Sequence, residues 1–391
     1  MMNSQQKFLS AAIASLLSGA VLADSNTSTS NQAGYADSAY IDQSGYGNYA
    51  ASTQDTNYDT TSITQYGNDN SASNSQTGGD YNSSNISQSG DSNSANNAQN
   101  GSSNSSNTYQ TGSYNTADST QFGYGNGSSI AQGSWWWWGG WGWSSNSSAN
   151  NHQEGNWSSS SINQSGDANV ANVSQWWSTS SASANASQSG NGNGVDIEQW
   201  DWSQYANLNQ YGDYNYASIG QDGNASDWYY GNTYGNSGSI YQNGSDNEAY
   251  LRQSVYNTAS ISQDGQSNYT DVSQSGGWLN DYWDGHPNNA YVTQSGAYND
   301  ATIAQASGNN TASVQQYSDY AGESGNTVNI DQYGDSNTAN AYQNGADNTI
   351  FISQNVGNTA NVYQGLNGAS YGNYAEVNQN GTGNSFTVYQ Q

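Results

Sequence analysis

The chain has 391 residues, of which 30 are acidic and only two, Lys7 and Arg252, are basic; the formal charge is −28 and there is no Cys. Too little Lys and Arg is present to neutralise nucleic-acid phosphates or to hold an anionic membrane, and disulfides or thiolate metal sites are impossible. With 32% hydrophobic residues, 45 Gly and 32 Tyr, the composition is that of a disordered chain unless residue order rescues it.

In chain order, Met1 to Ala23 comes first: Lys7, then an apolar run from Phe8 to Leu22, then Val21-Leu22-Ala23 with small residues where a signal peptidase reads. A secretory signal cleaved after Ala23 is expected, followed by a short N-terminal segment, 24–31, and one repeat domain, 32–391. The mature chain then keeps 30 acids against Arg252 alone, a formal −29. No later segment is apolar enough to span a membrane, so the protein is expected to be exported.

From Gln32 onwards, Gln recurs through Gln43, Gln54, Gln65 and so on to Gln390, and 20 of the 29 intervals are 11 residues long. Within an interval the pattern is Q-x-G-x-x-N-x-A-x-Φ-x-Q. Gln164 to Gln175 holds Gly166, Asn169, Ala171 and Val173, and Gln294 to Gln305 holds Gly296, Asn299, Ala301 and Ile303. Asn, Ala, Φ and Gln lie two apart and so share one face of a strand, while Gly supplies a turn. In the first third, Φ alternates between Ile (Ile41, Ile63, Ile86, Ile130) and Ser or Asn (Ser52, Asn74, Asn97, Ser119), which makes a 22-residue unit of two strands. The expected fold is all-β: a β-solenoid, or cross-β stack, of strand-turn-strand rungs that bury their faces only by stacking. Counting degenerate strands near Gly142 and Trp283, about 15 two-strand rungs are expected.

Stacking in register brings like amides together. Gln43, Gln65, Gln88, Gln110, Gln164, Gln175, Gln294 and Gln305, with Asn93, Asn169 and Asn299, are the expected structural ladder. A buried column of like charges would repel at every rung, so the acids are expected mostly in turns and on outward positions, such as Asp91, Asp167, Asp213 and Asp335. The end rungs leave open strand edges that can template another copy.

The motif S/N-x-A-x-Φ-x-Q-x-G-x-x-N-x-A-x-Φ-x-Q, seen in Asn82 to Gln99 and Asn257 to Gln274, resembles the curlin repeat of bacterial curli. The resemblance covers roughly 32–390. It implies a secreted functional-amyloid subunit that polymerises with itself into biofilm fibres active in adhesion and cell aggregation. It also implies partners: a nucleator subunit and outer-membrane secretion machinery. The chain departs from the family in holding far more repeats, and only Asp24 to Asn31 stands where a Gly-rich targeting segment would be.

Long connections follow Gln132, Gln175, Gln221, Gln274, Gln316 and Gln364, and hold most of the Trp. If Gly142 and Trp283 end strands, all six connections fall on one edge. Trp135, Trp136, Trp137, Trp138, Trp176, Trp177, Trp228 and Trp278 are candidate surface-binding aromatics, for polysaccharide or an abiotic surface; lateral packing between filaments is the structural alternative. A monomeric secreted solenoid adhesin using that edge is the competing function. His152 and His286 are read as exposed residues of connections, without the partners that a triad, zinc site or acid–base pair needs. No enzyme activity, metal or cofactor is expected.

Overall fold

A computed structural model describes residues 25–136, 140–142, 144–178, 181–200, 203–222, 235–275, 287–318, 324–365 and 370–391, and the expected signal segment lies outside these. Among the described residues there is no helix. Two compact units divide the chain, Met1–Ser181 and Ala182–Gln391.

In the first unit, sheet A contains Thr27–Gln32, Tyr49–Gln54, Ser71–Thr77, Ser94–Ser102, Thr116–Tyr124, Ser148–Asn156 and Val170–Ser178. Sheet B contains Ser38–Ser44, Thr60–Tyr66, Ser83–Asp91, Ser105–Ser113, Gly127–Gln132 and Ser159–Ser165. In the second unit, sheet A contains Gly194–Trp200, Tyr216–Asp222, Glu248–Ser254, Tyr269–Ser275, Asp300–Ala306, Thr327–Gln332, Thr349–Gln354 and Tyr374–Gln379. Its sheet B contains Ser183–Ser189, Tyr205–Asp213, Ser237–Ser245, Thr258–Gln266, Asn289–Ala297, Thr311–Tyr317, Thr338–Ala346, Thr359–Gln364 and Ser385–Gln390. Chain order alternates A and B, so each rung is one strand of each sheet and the fold is a β-solenoid. Successive rungs pair parallel with Gln opposite Gln, as in Gln65 against Gln88 and Gln305 against Gln332.

Every second residue of a strand turns inward, and burial alternates accordingly. The two cores differ. In the first unit sheet B buries Ile63, Ile86, Ile130 and Ile162, whereas sheet A buries Ser52, Asn74, Asn97, Ser119 and Asn151. These meet hydroxyls from sheet B: Asn97 Nδ2 donates to Ser84 Oγ at 3.0 Å, and Thr108 Oγ1 to Asn97 Oδ1 at 2.9 Å. Ser106 Oγ donates to Ser119 Oγ at 3.0 Å. A buried polar seam is the result. In the second unit both sheets are apolar there, with Ile197, Ile219, Leu251 and Ile303 facing Leu208, Ile240, Ile261 and Val292.

Two expectations are corrected. The degenerate strand near Gly142 does not enter a rung. Gln132 and Gln153 lie in opposite sheets of consecutive strands, and their ladders run directly to Gln164 and Gln175. Ser134–Trp136 and Gly140–Gly142 instead pair with each other as an antiparallel hairpin, Trp135 opposite Trp141. Trp283 lies outside the described residues, but Gln274 and Gln294 also occupy opposite sheets with no rung between. Without the extra strands, the long connections do not share one edge. In the second unit those after Gln221 and Gln274 run from sheet A to sheet B, and those after Gln316 and Gln364 run back, so two fall on each edge.

Candidate functional site

The inward Gln amides form axial ladders. In sheet B of the first unit, Gln43 Nε2 donates to Gln65 Oε1, Gln65 to Gln88, Gln88 to Gln110 and Gln110 to Gln132, each at 2.8 Å; Gln132 continues to Gln164 at 2.9 Å. In sheet A, Gln153 Nε2 donates to Gln175 at 2.9 Å. In the second unit Gln263 donates to Gln294 at 2.9 Å and Gln294 to Gln316 at 2.9 Å, while Gln274 donates to Gln305 at 2.7 Å and Gln305 to Gln332 at 2.8 Å. The second N–H of each amide crosses the core. Gln88 Nε2 donates to Ser71 O at 2.9 Å and Gln305 Nε2 to Asn289 O at 3.1 Å, the first residue of the preceding strand in the other sheet. One side chain thus ties rung to rung and sheet to sheet. The crossing bond has no sequence signal of its own beyond the choice of Gln over shorter Asn.

Asn builds a second ladder at the corners. Backbone N and Nδ2 of Asn93 both donate to Asn70 Oδ1, at 3.0 and 3.1 Å, and Nδ2 also reaches Gly112 O at 2.9 Å. Asn299 repeats the contact on Asn268 Oδ1 at 3.1 and 3.0 Å. At Ser147 the column changes chemistry: Ser147 N donates to Asn115 Oδ1 and Asn169 N to Ser147 Oγ, each at 3.3 Å. The Gln-to-Gln bonds point toward higher-numbered rungs and the Asn-to-Asn bonds toward lower ones, while Asn Nδ2 also reaches forward to a Gly carbonyl.

Each regular turn needs two left-handed residues. Gly90 has φ 119° and Ser92, just before the ladder Asn93, has φ 57°. A Cβ on Gly90 would lie 1.9 Å from Gly112 O in the next rung, so Gly is fixed there by stacking as well as by φ. Ser, Asp, Asn, Ala and Tyr all occupy the second position, which therefore left no residue signature in the sequence.

The acids are less confined than the sequence suggests. Asp59 is fully buried at an Asn-ladder position, where Asp59 N donates to Asp37 Oδ1 at 3.2 Å and Asn82 N to Asp59 Oδ1 at 2.9 Å. Burial pushes the Asp37 carboxyl above the ordinary 3.8, and neighbouring Asp59 and Asp80 add to it. In the second unit, the outward face of sheet A carries Asp196, Asp300 and Asp331, all raised from 3.8 chiefly by desolvation. Arg252 makes a bidentate pair with Asp271 there, at 2.8 and 2.7 Å. Turn acids act as backbone acceptors: Asn68 N donates to Asp91 Oδ1 at 2.9 Å, and Asn191 N to Asp213 Oδ1 at 2.8 Å.

His152 is not in a connection, as the sequence reading had it. It lies within the strand Ser148–Asn156, half-buried between Trp176, 4.3 Å away, and Phe122, 5.8 Å away, and burial lowers its pKa from 6.5. Of the aromatic candidates, Trp135 and Trp136 belong to the antiparallel hairpin, and Trp176 and Trp177 to the end of the strand Val170–Ser178. Trp137, Trp138, Trp228, Trp278 and His286 lie outside the described residues.

Two segments, 285–317 and 324–355, match the family model of the curlin associated repeat. A comparison with curated proteins finds no match.

Proposed function

We infer that this chain, which carries curlin associated repeats, is a non-catalytic structural subunit that assembles end to end with copies of itself into an extracellular amyloid fibre. The observation that carries this reading is that the amide ladders of each unit run to end strands with one open edge: to Gln32 and Gln43 in the first unit and to Gln379 and Gln390 in the second. Thr27–Gln32 pairs only with Tyr49–Gln54, and Ser385–Gln390 only with Thr359–Gln364, among the described residues. Both end strands are largely exposed. Gln364 Nε2 donates to Gln390 Oε1 at 2.7 Å, and Gln390 Nε2 reaches Tyr374 O at 2.9 Å, leaving an axial N–H for a next rung. A second copy continues the A–B alternation, its Thr27–Gln32 stacking on Tyr374–Gln379 and its Ser38–Ser44 on Ser385–Gln390. Export by residues 1–23, adhesion within a biofilm matrix, a nucleator subunit and an outer-membrane secretion route belong to the same reading.

The test is seeded growth of the purified chain, whose fibres should give a meridional reflection near 4.7–4.8 Å. Thr27 N and Thr359 N donate to the following rung, so by strand alternation the N–H groups of Ser30 and Thr387 face the open edges. Ser30→Pro and Thr387→Pro should keep the β circular dichroism and lose seeded elongation. Elongation at the parent rate would sink the end-stacking reading.

A second reading is a monomeric solenoid adhesin gripping polysaccharide through Trp-rich connections. The hairpin that pairs Trp135 with Trp141 outside the rungs favours it. Trp135 to Trp138 replaced by Ser should then abolish retention on cellulose or chitin, and unchanged retention removes this reading.

A further inference from the structure

Among the described ring pairs, two are parallel and both join neighbouring rungs. Tyr58 and Tyr81 stack with centroids 4.9 Å apart and planes 5° apart. Tyr363 and Tyr389, opposite each other in register on sheet B of the second unit, stack at 5.2 Å and 11°. The other Tyr–Tyr contacts are inclined: Tyr35–Tyr58 by 76°, Tyr211–Tyr241 by 45°, Tyr216–Tyr250 by 49°, Tyr250–Tyr269 by 50° and Tyr317–Tyr342 by 46°.

The Tyr58–Tyr81 pair is held in place by strained backbone. Both residues occupy the left-handed turn position, φ 59° and 65°, which bulky side chains rarely adopt. Tyr81 N donates to Asn57 O at 3.1 Å, and the following strands lock Thr60 against Ser83. Ala36, Ser103, Asn309 and Ser336 fill this corner in other rungs, so the turn does not require Tyr. Retained strain of this kind points to work done by the side chain. Both rings are open to solvent, 44% and 61% exposed, as is Tyr389 at 66%.

We propose that these two stacked pairs are sites of oxidative dityrosine formation, which staples successive rungs covalently. The reagent is a peroxide-dependent one-electron oxidant of the peroxidase class. Each phenol gives up one electron and its hydroxyl proton, leaving a phenoxyl radical whose spin lies partly on the ring carbons ortho to oxygen. The two radicals couple through one such carbon on each ring to form a C–C bond. Each coupled carbon then loses its proton and each oxygen regains one. Two ring C–H bonds are replaced by one C–C bond, and one peroxide is reduced to two waters. Parallel rings present ortho carbons face to face, which edge-on rings do not. The staple bridges rungs of one chain and does not depend on fibre formation.

The full chain is treated at low concentration with peroxidase and hydrogen peroxide, cleaved at its acidic residues and read by mass spectrometry. Peptides joined Tyr58–Tyr81 and Tyr363–Tyr389, lighter by two hydrogens, should dominate, with a dityrosine fluorescence per chain that does not change on dilution. Tyr81→Phe should remove the first link alone and Tyr389→Phe the second. Phe preserves the stack, and an unchanged circular dichroism spectrum shows that the fold is intact. Links spread over the inclined pairs, links chiefly between chains, an unaltered yield in Tyr81→Phe, or no dityrosine would each overturn the proposal.

Discussion

Removing one ladder amide in mid-stack measures what the ladder contributes. Gln88 is fully buried; it donates to Gln110 Oε1 at 2.8 Å and Ser71 O at 2.9 Å, and it accepts from Gln65 Nε2 at 2.8 Å. Gln88→Ala deletes all three bonds, and at about 1 kcal/mol net for each the loss is about 3 kcal/mol. The vacated volume, the buried Gln110 Oε1 left without this donor and the buried Gln65 Nε2 left without this acceptor add to it. Gln88→Glu keeps the shape and still accepts from Gln65, but at neutral pH it sets a carboxylate against two carbonyl oxygens. Burial and those oxygens raise its folded pKa, so its penalty is full above that raised value, recedes as pH falls from there, and is gone below the ordinary 4.3 or so, where the acid form can donate one bond. Gln315, exposed on its strand, is the control, and Gln315→Ala should stay within about 0.5 kcal/mol of the parent. Denaturant midpoints at unchanged slope give the differences, and hydrogen exchange in Ser83–Asp91 shows whether the loss is local, because stacked repeats open piecewise. A Gln88→Ala variant as stable as Gln315→Ala, or a Gln88→Glu variant indifferent to pH, would refute the ladder argument.

Gly90→Ala would place a Cβ 1.9 Å from the next rung's backbone at φ 119°, and should lower stability by more than about 3 kcal/mol; Gly220→Ala meets nothing within 4 Å and should be neutral or stabilising by about 0.5–1 kcal/mol. Equal denaturation midpoints for the two would contradict the stacking account. Six carboxyls, Asp37, Asp118, Asp196, Asp222, Asp300 and Asp331, are raised from 3.8 first by desolvation; their penalty is full above the raised values and gone below 3.8, so stability should rise as pH falls from neutral toward about 4. Exposed Glu376 has the opposite sign, lowered by bonds from Tyr374 and Asn378, and a midpoint that falls steadily on acidification would be the wrong outcome. His152 also opposes the trend: its lowered pKa means stability is lost as pH drops through 6.5, and His152→Phe should remove that loss in midpoints taken at pH 7 and 5. Hydrogen exchange should be slower in the second unit, where aliphatic side chains worth about 1.5–3 kcal/mol each replace the Ser and Asn of the first unit's sheet A; faster exchange there would be contrary.

The ladder was legible because stacking demands the same amide at every level, and that demand writes itself as a period. Inward and outward positions followed from the two-residue alternation around Gln164 and Gln294. The edges were misread for a physical reason. Gln132 to Gln153 spans 21 residues, close to two periods, which invites an extra strand at Gly142. Trp-Gly-Trp has neither the Gln that a rung must ladder nor an aliphatic residue two before it, and Gly140–Gly142 pairs instead with Ser134–Trp136. Gln221 to Gln242 has the same length and likewise joins neighbouring strands of opposite sheets. Asp59 was hidden because an Asp can accept the same backbone N–H as the Asn it replaces. The seat of His152 depends on Phe122 and Trp176, one rung away on either side and 30 and 24 residues distant in sequence, and a single 11-residue unit does not contain it.

Opposed donor directions give the proposed assembly its polarity. Within each unit the Gln-to-Gln bonds send N–H forward, and the Asn-to-Asn bonds send N–H back. At the last described rung, Gln379 and Gln390 have amide hydrogens aimed onward, while Asn384 donates to Asn358 Oδ1, at 3.0 Å from the backbone N and 3.1 Å from Nδ2. Its Oδ1 then stands ready as an acceptor. Where the described chain begins, Gln32 and Gln43 each donate one amide hydrogen to Gln54 and Gln65, and their Oε1 atoms still have lone pairs to offer. Asn26 Oδ1 already accepts from Asn48 N at 2.8 Å, and its Nδ2 donates to no group among the described residues. Head-to-tail stacking therefore matches donors with acceptors in both ladders at once. Head-to-head or tail-to-tail stacking would set Gln oxygens against Gln oxygens, or Gln N–H groups against each other, and would leave buried amides unpaired at the joint. A fibre built this way grows in one orientation, and its two ends differ in chemistry.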